Sequence, residues 1–526
     1  MKEEKKSKGC LAAAAIWIII LGSLAVAYKF LVHPYVAEKL RGQTGSESQY
    51  RHEVTIALDS FSGYAVLRSE AFGRELKVEG IKLKLNDDGA DYAARIRAVR
   101  KGRAQLATFT IDSLVNSSAD LGDFPATIVL VIDETHGADA IVAPRDGIKS
   151  IQDLDHADAR IVLTPDSPSE FLARTVLAHF SLPNLPENPY VPADGAAEVY
   201  ARLKAAPAGE RRAYVLWEPF VSKAVDDGAR VLLDSSKLKG YVVDVLVAQR
   251  KYLRDNPEVV TKVVAAYLRA AYSVDRRKDG MVDLVISDSK LAGAQRLDRR
   301  QAQQLVKGIR WKSTLENYAH FGLLTAGESK GSQHLEDMIA NITGVLLKTG
   351  ALPRDPLGGK THTLFYDGTL RELKAAGFHP AKRLAVIDGV GPGISELGAI
   401  RTEGTLARLS DQQWDSLVPV GELKVKPIAF GRGTARINVQ SERELARLAG
   451  LLKSLPAYYL LVVGHARAEG DPEANRKLAG SRADAALKYL VSQGLERNRV
   501  RARAAKPSGK GGGAQSVSFV VGQLPY

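Results

Sequence analysis

Apolar and polar positions follow two periods along most of this chain, and their alternation predicts the fold class. Between residues 50 and 350, short apolar runs that end in polar residues predict buried strands, and apolar residues at helical spacing predict amphipathic helices between them. The predicted strands run from Val54 to Leu58, Leu106 to Phe109, Thr127 to Ile132, Ala140 to Ala143, Arg160 to Leu163 and Val242 to Ala248. This alternation favours an α/β fold with a mostly parallel sheet and helices on both faces.

The C-terminal end of the chain carries a second, smaller α/β pattern. Leu448 and Leu452 belong to an apolar stripe at helical spacing, which predicts a helix from Val439 to Leu455. A buried strand is predicted from Tyr458 to Val463, and a second helix and a final strand follow it. We therefore expect a small α/β sandwich at this end of the chain.

The N-terminus combines a basic head with an apolar run. Residues 1–9 are rich in lysine, and Leu11 to Ala27 is almost wholly apolar. A membrane-spanning helix needs roughly 20 such residues, and basic residues before it keep the N-terminus in the cytoplasm. Residues 10–33 are therefore predicted to be an uncleaved anchor. A cleaved signal peptide is the alternative, because Ala25-Val26-Ala27 fits the small-x-small cleavage pattern.

Charge and composition exclude several functions. The formal net charge is +13, but lysine and arginine alternate with acidic residues instead of clustering with aromatic ones, so no nucleic-acid partner is predicted. The ten histidines have no metal-ligand spacing, and neither a metal nor another cofactor is predicted. Cys10 is the only cysteine, so the exported part has no disulfide.

A motif in the C-terminal region points to the bacterial cell wall. The sequence from Gly464 to Gly470, followed by Asn475 and Arg482, resembles the OmpA-like peptidoglycan-associating domain. The resemblance implies that the peptidoglycan-binding residues are His465, Arg467, Asn475 and Arg482. In that family an aspartate at the position of Arg467 binds the ammonium of diaminopimelate, and the helix arginine binds its carboxylate. Because Arg467 would repel an ammonium, a domain retained for packing or dimerisation is the alternative.

Ordered landmarks over the larger region carry a second resemblance. Asp59 to Tyr64, Thr108 to Thr110, Asp133 to Asp139, Ile148 to Leu154 and Trp217-Glu218-Pro219 follow one another as in the periplasmic substrate-binding proteins of ABC importers, of the nitrate, sulfonate and taurine type. The resemblance implies two lobes joined by the strands at Thr127 to Ile132 and Val242 to Ala248, with ligand in the cleft between them. The candidate ligand-binding residues are Asp59, Ser60, Tyr64, Thr108, Thr110, His136, Asp139, Ser167, Ser169, Trp217 and Glu218.

The chemistry of these candidates suggests an anionic or zwitterionic ligand. Ser167 and Ser169 stand at the predicted start of a helix, where free backbone N–H groups attract anions. Simple N-capping by these serines is the alternative. Trp217 is expected to stack on a ligand or to close the hinge between the lobes, and a buried aromatic residue is the alternative.

No catalytic residue is predicted. Ser236 to Lys239 reads S-x-x-K and Lys348 to Gly350 reads K-T-G, an order used by penicillin-binding enzymes. No S-x-N stands between the two motifs, however, and Ser236 lies in a polar turn instead of opening a long helix. The pairing is therefore attributed to chance.

Together these features predict a single-pass protein of the bacterial inner membrane, with most of the chain in the periplasm. The predicted parts are residues 1–9 (cytoplasmic head), 10–33 (anchor), 50–350 (solute-binding domain), 351–420 (connector) and 421–526 (OmpA-like domain). The expected function is a solute receptor for uptake or sensing, held at peptidoglycan, with an ABC permease as a possible further partner. The alternative is a structural envelope tether whose receptor fold binds a protein.

Overall fold

The computed structural model of the protein describes residues 50–291, 297–382, 397, 400–401, 406–465, 470–505 and 517–524. The predicted anchor, residues 10–33, lies outside these ranges. Within them, no helix is long and apolar enough to cross a membrane.

The described chain alternates strands and helices. In chain order the strands are β1 (His52–Leu58), β2 (Ile81–Asp87), β3 (Leu106–Thr110), β4 (Ala126–Thr135), β5 (Asp139–Ala143), β6 (Arg160–Leu163), β7 (Tyr190–Pro192), β8 (Arg212–Trp217), β9 (Arg230–Asp234), β10 (Val243–Gln249), β11 (Ile309–Trp311), β12 (Val418–Glu422), β13 (Tyr459–Gly464), β14 (Val500–Ala504) and β15 (Val517–Gln523). The α-helices are α1 (Ala65–Arg68), α2 (Glu70–Val78), α3 (Tyr92–Arg100), α4 (Ile111–Leu121), α5 (Pro168–His179), α6 (Gly195–Lys204), α7 (Phe220–Asp226), α8 (Arg250–Asp255), α9 (Pro257–Asp275), α10 (Gly280–Leu291), α11 (Arg299–Lys307), α12 (Thr314–His320), α13 (Leu335–Lys348), α14 (Gly368–Ala375), α15 (Asp411–Asp415), α16 (Val439–Lys453) and α17 (Pro472–Ser492).

Three sheets organise these elements. The first lobe contains a six-stranded sheet in the order β11-β4-β10-β3-β1-β2, and the second lobe a five-stranded sheet in the order β7-β6-β8-β5-β9. The chain passes from the first sheet to the second between β4 and β5, and returns between β9 and β10. The strands predicted to join the lobes, β4 and β10, are neighbours in the first sheet.

The sheets are mixed, whereas the sequence pattern favoured a mostly parallel sheet. Strand β1 runs parallel to β2 and β3, but β10 runs antiparallel to β3 and β4. In the second lobe β5 is likewise antiparallel to β8 and β9. Strand β10 enters the first sheet from the far lobe and so runs opposite to its neighbours. Apolar runs alone do not reveal this reversal, because buried strands of either direction look the same in sequence.

The C-terminal sheet has the order β12-β15-β13-β14 and is covered by α16 and α17. The predicted helices and the strands β13 and β15 are present within a few residues of their predicted bounds. Strand β12 begins inside the predicted connector and pairs with β15. Strand β14 was not predicted, although Val500-Arg501-Ala502-Arg503-Ala504 has the period-two alternation of a half-buried strand.

The C-terminal domain packs directly against the second lobe. The backbone N–H of Ser181 donates to the carbonyl of Glu422 at 2.8 Å, and the N–H of Lys424 donates to the carbonyl of His179 at 2.7 Å. Phe180 and Leu423, which pair in this short antiparallel bridge, are each 2% exposed. The two domains therefore share a buried interface as well as a connecting segment.

A carboxylate-lined cleft between the lobes

A cavity of about 570 Å³ lies between the two lobes. Its walls include the segment after β1 and the segments at β5 and β10 where the chain passes from one lobe to the other. They also include the loops that precede α5, α6 and α7. Each of these loops follows or precedes a strand, which brings polar side chains to one crevice, as expected for an open α/β sheet.

Eight of the predicted ligand-binding residues line this cavity. They are Asp59, Ser60, Tyr64, Thr110, Asp139, Ser167, Trp217 and Glu218. Whether they bind a ligand remains a prediction. The other three predicted residues, Thr108, His136 and Ser169, are absent from the lining.

Local contacts explain why those three do not face the cleft. Thr108 is fully buried, and its carbonyl accepts a hydrogen bond from Arg95. The His136 ring nitrogen lies 2.6 Å from the Arg310 guanidinium. Ser169 is fully buried within α5, and its hydroxyl has no partner among the described residues. The sequence placed all three near strand ends but did not indicate which way they point.

Arg95 supports the first-lobe wall from behind. Its side chain is fully buried, and it donates to Asp59 at 2.8 Å and to Asp88 through Nε at 2.7 Å. The guanidinium also lies 4.8 Å from the centre of the Tyr92 ring. Asp59 is thus neutralised by an internal arginine and presents little free negative charge to the cavity.

The floor of the cleft contains a buried acidic side chain in an otherwise apolar strand. Asp244, on β10, is 2% exposed, and the Tyr64 hydroxyl donates to its Oδ1 at 2.5 Å. In the antiparallel ladders Asp244 stands opposite Thr110 on β3 and Asp133 on β4. Burial raises the pKa of Asp244, and the neighbouring Asp133 carboxyl raises it further.

The second-lobe wall adds two more carboxyls. Asp139 stands opposite Trp217 in the β5–β8 ladder, and burial raises the pKa of Asp139 to about 6. Burial also raises the pKa of Glu218, whose two oxygens accept hydrogen bonds from the hydroxyl and the backbone N–H of Ser222. These groups have lost hydration without gaining a cationic partner, since no ion pair to either is found among the described residues.

The lining has a strong charge bias. Seven of its residues are acidic, and none of those described is lysine or arginine. Two of the seven are neutralised, because Asp59 pairs with Arg95 and Asp288 pairs with Arg68 at 2.6 Å. The remaining five are Asp139, Asp166, Asp194, Glu218 and Asp244.

Aromatic rings complete the walls. Five aromatic residues line the cavity, from both lobes: Phe61, Tyr64, Tyr92, Trp217 and Phe220. Phe61 and Tyr64 meet edge to face, with ring centres 5.3 Å apart. Ring faces next to carboxylates attract cations, especially organic ammonium groups.

The predicted anion site at the start of α5 has a different local structure. The Ser167 hydroxyl donates to the carbonyl of Thr164 at 2.6 Å and does not cap the helix. Pro168 follows at the first helical position and contributes no N–H. Asp166 and Glu170 also flank this helix start, so the local charge opposes an anion.

Several lining residues were missed from the sequence, and a signal existed for one of them. Asp244 interrupts the apolar run from Val242 to Ala248, and an isolated acid within a buried strand calls for a function or a partner. Phe61 and Tyr92 carried no such signal. No group of three or more His, Cys, Asp or Glu residues suited to a metal ion occurs in the described part of the chain.

The predicted peptidoglycan-binding residues are partly accounted for by internal contacts. Arg482 is 2% exposed, and its Nε donates to the carbonyl of Thr434 at 2.9 Å. The His465 ring nitrogen lies 2.8 Å from the Ser518 hydroxyl. Asn475 lies in the first turns of α17, and Arg467 falls outside the described residues. The described contacts give Arg482 a structural role, and peptidoglycan binding by the four residues remains a prediction.

Comparisons with known proteins agree with the two-part organisation. Residues 76–274 match the family described as NMT1/THI5 like, and residues 429–514 match the OmpA family. A curated relative, the peptidoglycan-associated lipoprotein of Rhizobium meliloti, is 35% identical over 98 residues, which cover 19% of this chain and 53% of that protein. The chain thus spans about half the length of this relative. The predicted fusion of a binding-protein region with an OmpA-like domain is confirmed.

Solved structures with a similar fold include periplasmic binding proteins. A putative periplasmic sulfonate-binding protein from Methylobacillus flagellatus KT has a TM-score of 0.47 and 15% identity, over 63% of this chain and 98% of that one. The periplasmic nitrate-binding protein from Synechocystis PCC 6803 has a TM-score of 0.45 and 12% identity, over 61% of this chain and 88% of that one.

Proposed function

We propose that the protein is a non-catalytic envelope receptor whose interlobe cleft binds a small organic cation, or a zwitterion through its ammonium group. The observation that carries this proposal is the lining itself. Five carboxyls without an internal cationic partner among the described residues and five aromatic side chains surround a cavity of about 570 Å³. Pockets of this size with convergent charged groups are the usual sites for small ligands.

This proposal departs from the anionic part of the sequence-based expectation and keeps its zwitterionic part. An anion would lie beside Asp139, Glu218 and Asp244 with no described lysine or arginine in the lining to balance it. Like charges at short range in a poorly hydrated site repel strongly. A zwitterion remains compatible, provided that its ammonium faces the carboxyls and its carboxylate faces the open side of the cleft.

The proposed location is the periplasm, with residues 10–33 as the membrane anchor and the OmpA-like domain at peptidoglycan. The lysine-rich head and the apolar run support the anchor. The OmpA family match supports the wall contact. An ABC permease would be the partner if the receptor serves uptake, and a signalling protein if it serves sensing.

Thermal unfolding of the full-length protein with a panel of small molecules tests the ligand class. A ligand that binds the native state raises its stability by RT ln(1 + [L]/Kd), about 2.7 kcal/mol at a hundredfold excess over Kd. We expect organic ammonium compounds to stabilise the protein. We expect no stabilisation by sulfonates of similar size or by nitrate. Trp217→Ala should weaken the response, and Asp337→Asn, an exposed acid on α13, should leave it unchanged.

The outcomes separate the alternatives. Stabilisation by anions alone would refute the cation receptor. An absence of any shift across the panel would favour the structural tether, whose receptor fold recognises a protein instead.

Sedimentation with purified peptidoglycan tests the wall contact. We expect weak binding that falls as salt rises, because exposed charge pairs are screened. Arg467→Asp should strengthen binding by supplying the acid that faces the ammonium of diaminopimelate. Arg476→Asp, which makes the same charge reversal at an exposed arginine of α17, is the matched control. Tight binding that is insensitive to salt and to Arg467→Asp would contradict this account.

A further inference from the structure

Two acidic side chains stand opposite each other at the floor of the cleft. Asp133 on β4 and Asp244 on β10 are direct partners in an antiparallel ladder. Directly opposed residues of such a pair project from the same face of the sheet with their side chains adjacent. Asp133 is fully buried and Asp244 is 2% exposed, so neither carboxyl can rely on water.

Neither acid has a cation of its own among the described residues. Within the described part of the chain, the Asp133 oxygens have no donor, and the hydrogen bond that Asp244 accepts comes from the Tyr64 hydroxyl. The polar group beside Asp133 is the Asp244 carboxyl, and the two can hydrogen-bond only if one of them is protonated. Two adjacent buried carboxylates cannot both ionise at low cost, so they titrate as a pair that shares a proton.

The other charged and titratable groups described around the pair do not supply a positive charge in place of the shared proton. Lys312 is the cation that acts on Asp133, but its Nζ lies 2.6 Å from Glu134. Asp59 is held by Arg95. The remaining groups that act on the pair are acidic or phenolic: Tyr64, Tyr92, Asp139 and Tyr267. Burial raises the pKa of both Asp133 and Asp244, and each acid raises that of the other.

The pair is connected to the cleft through one member. Asp244 lines the cavity, whereas Asp133 lies behind it. A cation in the cleft can therefore reach Asp244 directly and can take the electrostatic place of the shared proton.

We propose that Asp133 and Asp244 share one proton in the ligand-free receptor and release it to solvent when the cationic group of the ligand contacts Asp244. This inference rests on the proposed cation receptor and adds an exchange of one proton for one cation. No bond other than the O–H bond of the carboxyl pair is broken. The proton leaves through the open cleft, and the ligand cation balances the second carboxylate.

Calorimetry on the full-length protein tests this exchange with no variant. Binding of an organic ammonium ligand from the thermal panel is measured in buffers that differ in their enthalpy of protonation. We expect the apparent binding enthalpy to vary with the buffer as it would for release of up to one proton. The affinity should rise with pH, by at most tenfold per pH unit, until the pair has lost its proton in the free receptor.

Two variants identify the source of the proton. In Asp133→Asn the amide donates a hydrogen bond to an ionised Asp244, so the ligand should bind without proton release and with little dependence on pH. Asp244→Asn should lose the contact with the ligand cation. Asp337→Asn makes the same chemical change on the exposed surface and should behave as wild type.

Three results would overturn the inference. If ammonium ligands bind without proton release, the shared-proton exchange is wrong while the cation receptor stands. If release persists in Asp133→Asn, the proton comes from another group. If no organic cation binds at all, the proposed function fails and this inference fails with it.

Discussion

Removal of the Arg95 guanidinium should destabilise the first lobe more than any surface substitution. Arg95 is fully buried and donates to Asp59, to Asp88 and to the carbonyl of Thr108. Arg95→Met keeps much of the aliphatic volume but leaves Asp59, which is 5% exposed, without its cation. Breaking a buried ion pair by removal of one partner costs about 3–5 kcal/mol.

The measurement requires a reporter confined to the first lobe. Of the four tryptophans, Trp311 lies in β11, and its indole N–H donates to the carbonyl of Gly63 at 2.8 Å. Replacement of Trp17, Trp217 and Trp414 by phenylalanine leaves Trp311 as the only tryptophan. Denaturant unfolding followed by its fluorescence then gives the free energy of unfolding of this lobe, provided that the lobe unfolds in one transition.

A double-mutant cycle separates the unpaired charge from lost packing. Arg95→Met with Asp59→Asn removes both charges, so the double variant should be more stable than Arg95→Met alone. A single-variant loss below about 1 kcal/mol, the range of an exposed pair, or strict additivity in the cycle, would refute this reasoning.

Two further predictions concern the buried groups Glu134 and His179, and a third concerns the ring of Trp217 in the cleft. Burial alone would raise the pKa of Glu134, but the Lys312 ammonium lowers this pKa to about 2. The stability that the ion pair contributes is present above pH 4.5, the pKa of the unfolded state, and is lost as the pH falls toward 2. In acid-unfolding scans, the difference in stability between wild type and Glu134→Gln should therefore narrow between pH 4.5 and 2. Burial lowers the pKa of His179 to about 3. Below pH 6.5 the unfolded chain binds a proton that the folded chain does not bind, so the free energy of unfolding should fall by up to about 1.4 kcal/mol per pH unit as the pH decreases. The variant His179→Gln keeps a side chain that can hydrogen-bond the Tyr241 hydroxyl, and its stability should depend less on pH. Trp217→Phe should retain more affinity for an organic ammonium ligand than Trp217→Ala, since a ring face remains. Equal affinities of the two variants in titration calorimetry would show that stacking on this ring does not contribute to binding.

The architecture could be predicted from sequence to a considerable extent because burial leaves a periodic trace. The runs around Val54, Leu106 and Val162 produced strands where apolar residues predicted them. Strand direction left no such trace, and the antiparallel course of β10 had to come from the structure. Short edge strands such as Tyr190–Pro192 were also missed, since three residues carry no period.

The position of the interlobe cavity could be predicted from the sequence, but the charge of its lining could not. Strand-end loops identified eight of the residues that line the cavity, because ligands of open α/β sheets bind at strand ends. The charge of the cleft depends on which acids are already paired. Arg95, in the helix α3, neutralises Asp59, and the sequence pattern does not indicate that these two residues meet. The direction of a side chain, as for Ser169 and Thr108, depends on tertiary packing that the local sequence pattern does not encode.

The charge of the whole protein and the charge of its cleft have opposite signs, and distance explains how both can serve one molecule. The chain carries a net +13, whereas the lining has seven acids and no described lysine or arginine. At physiological ionic strength charges are screened over about 8 Å, so a ligand inside the cleft responds to the carboxyls around it and little to the outer surface. Under the proposed function, anionic wall polymers are too large for the cavity and would meet the basic exterior instead. The proposed cation receptor would therefore not have its cleft blocked by an anionic wall.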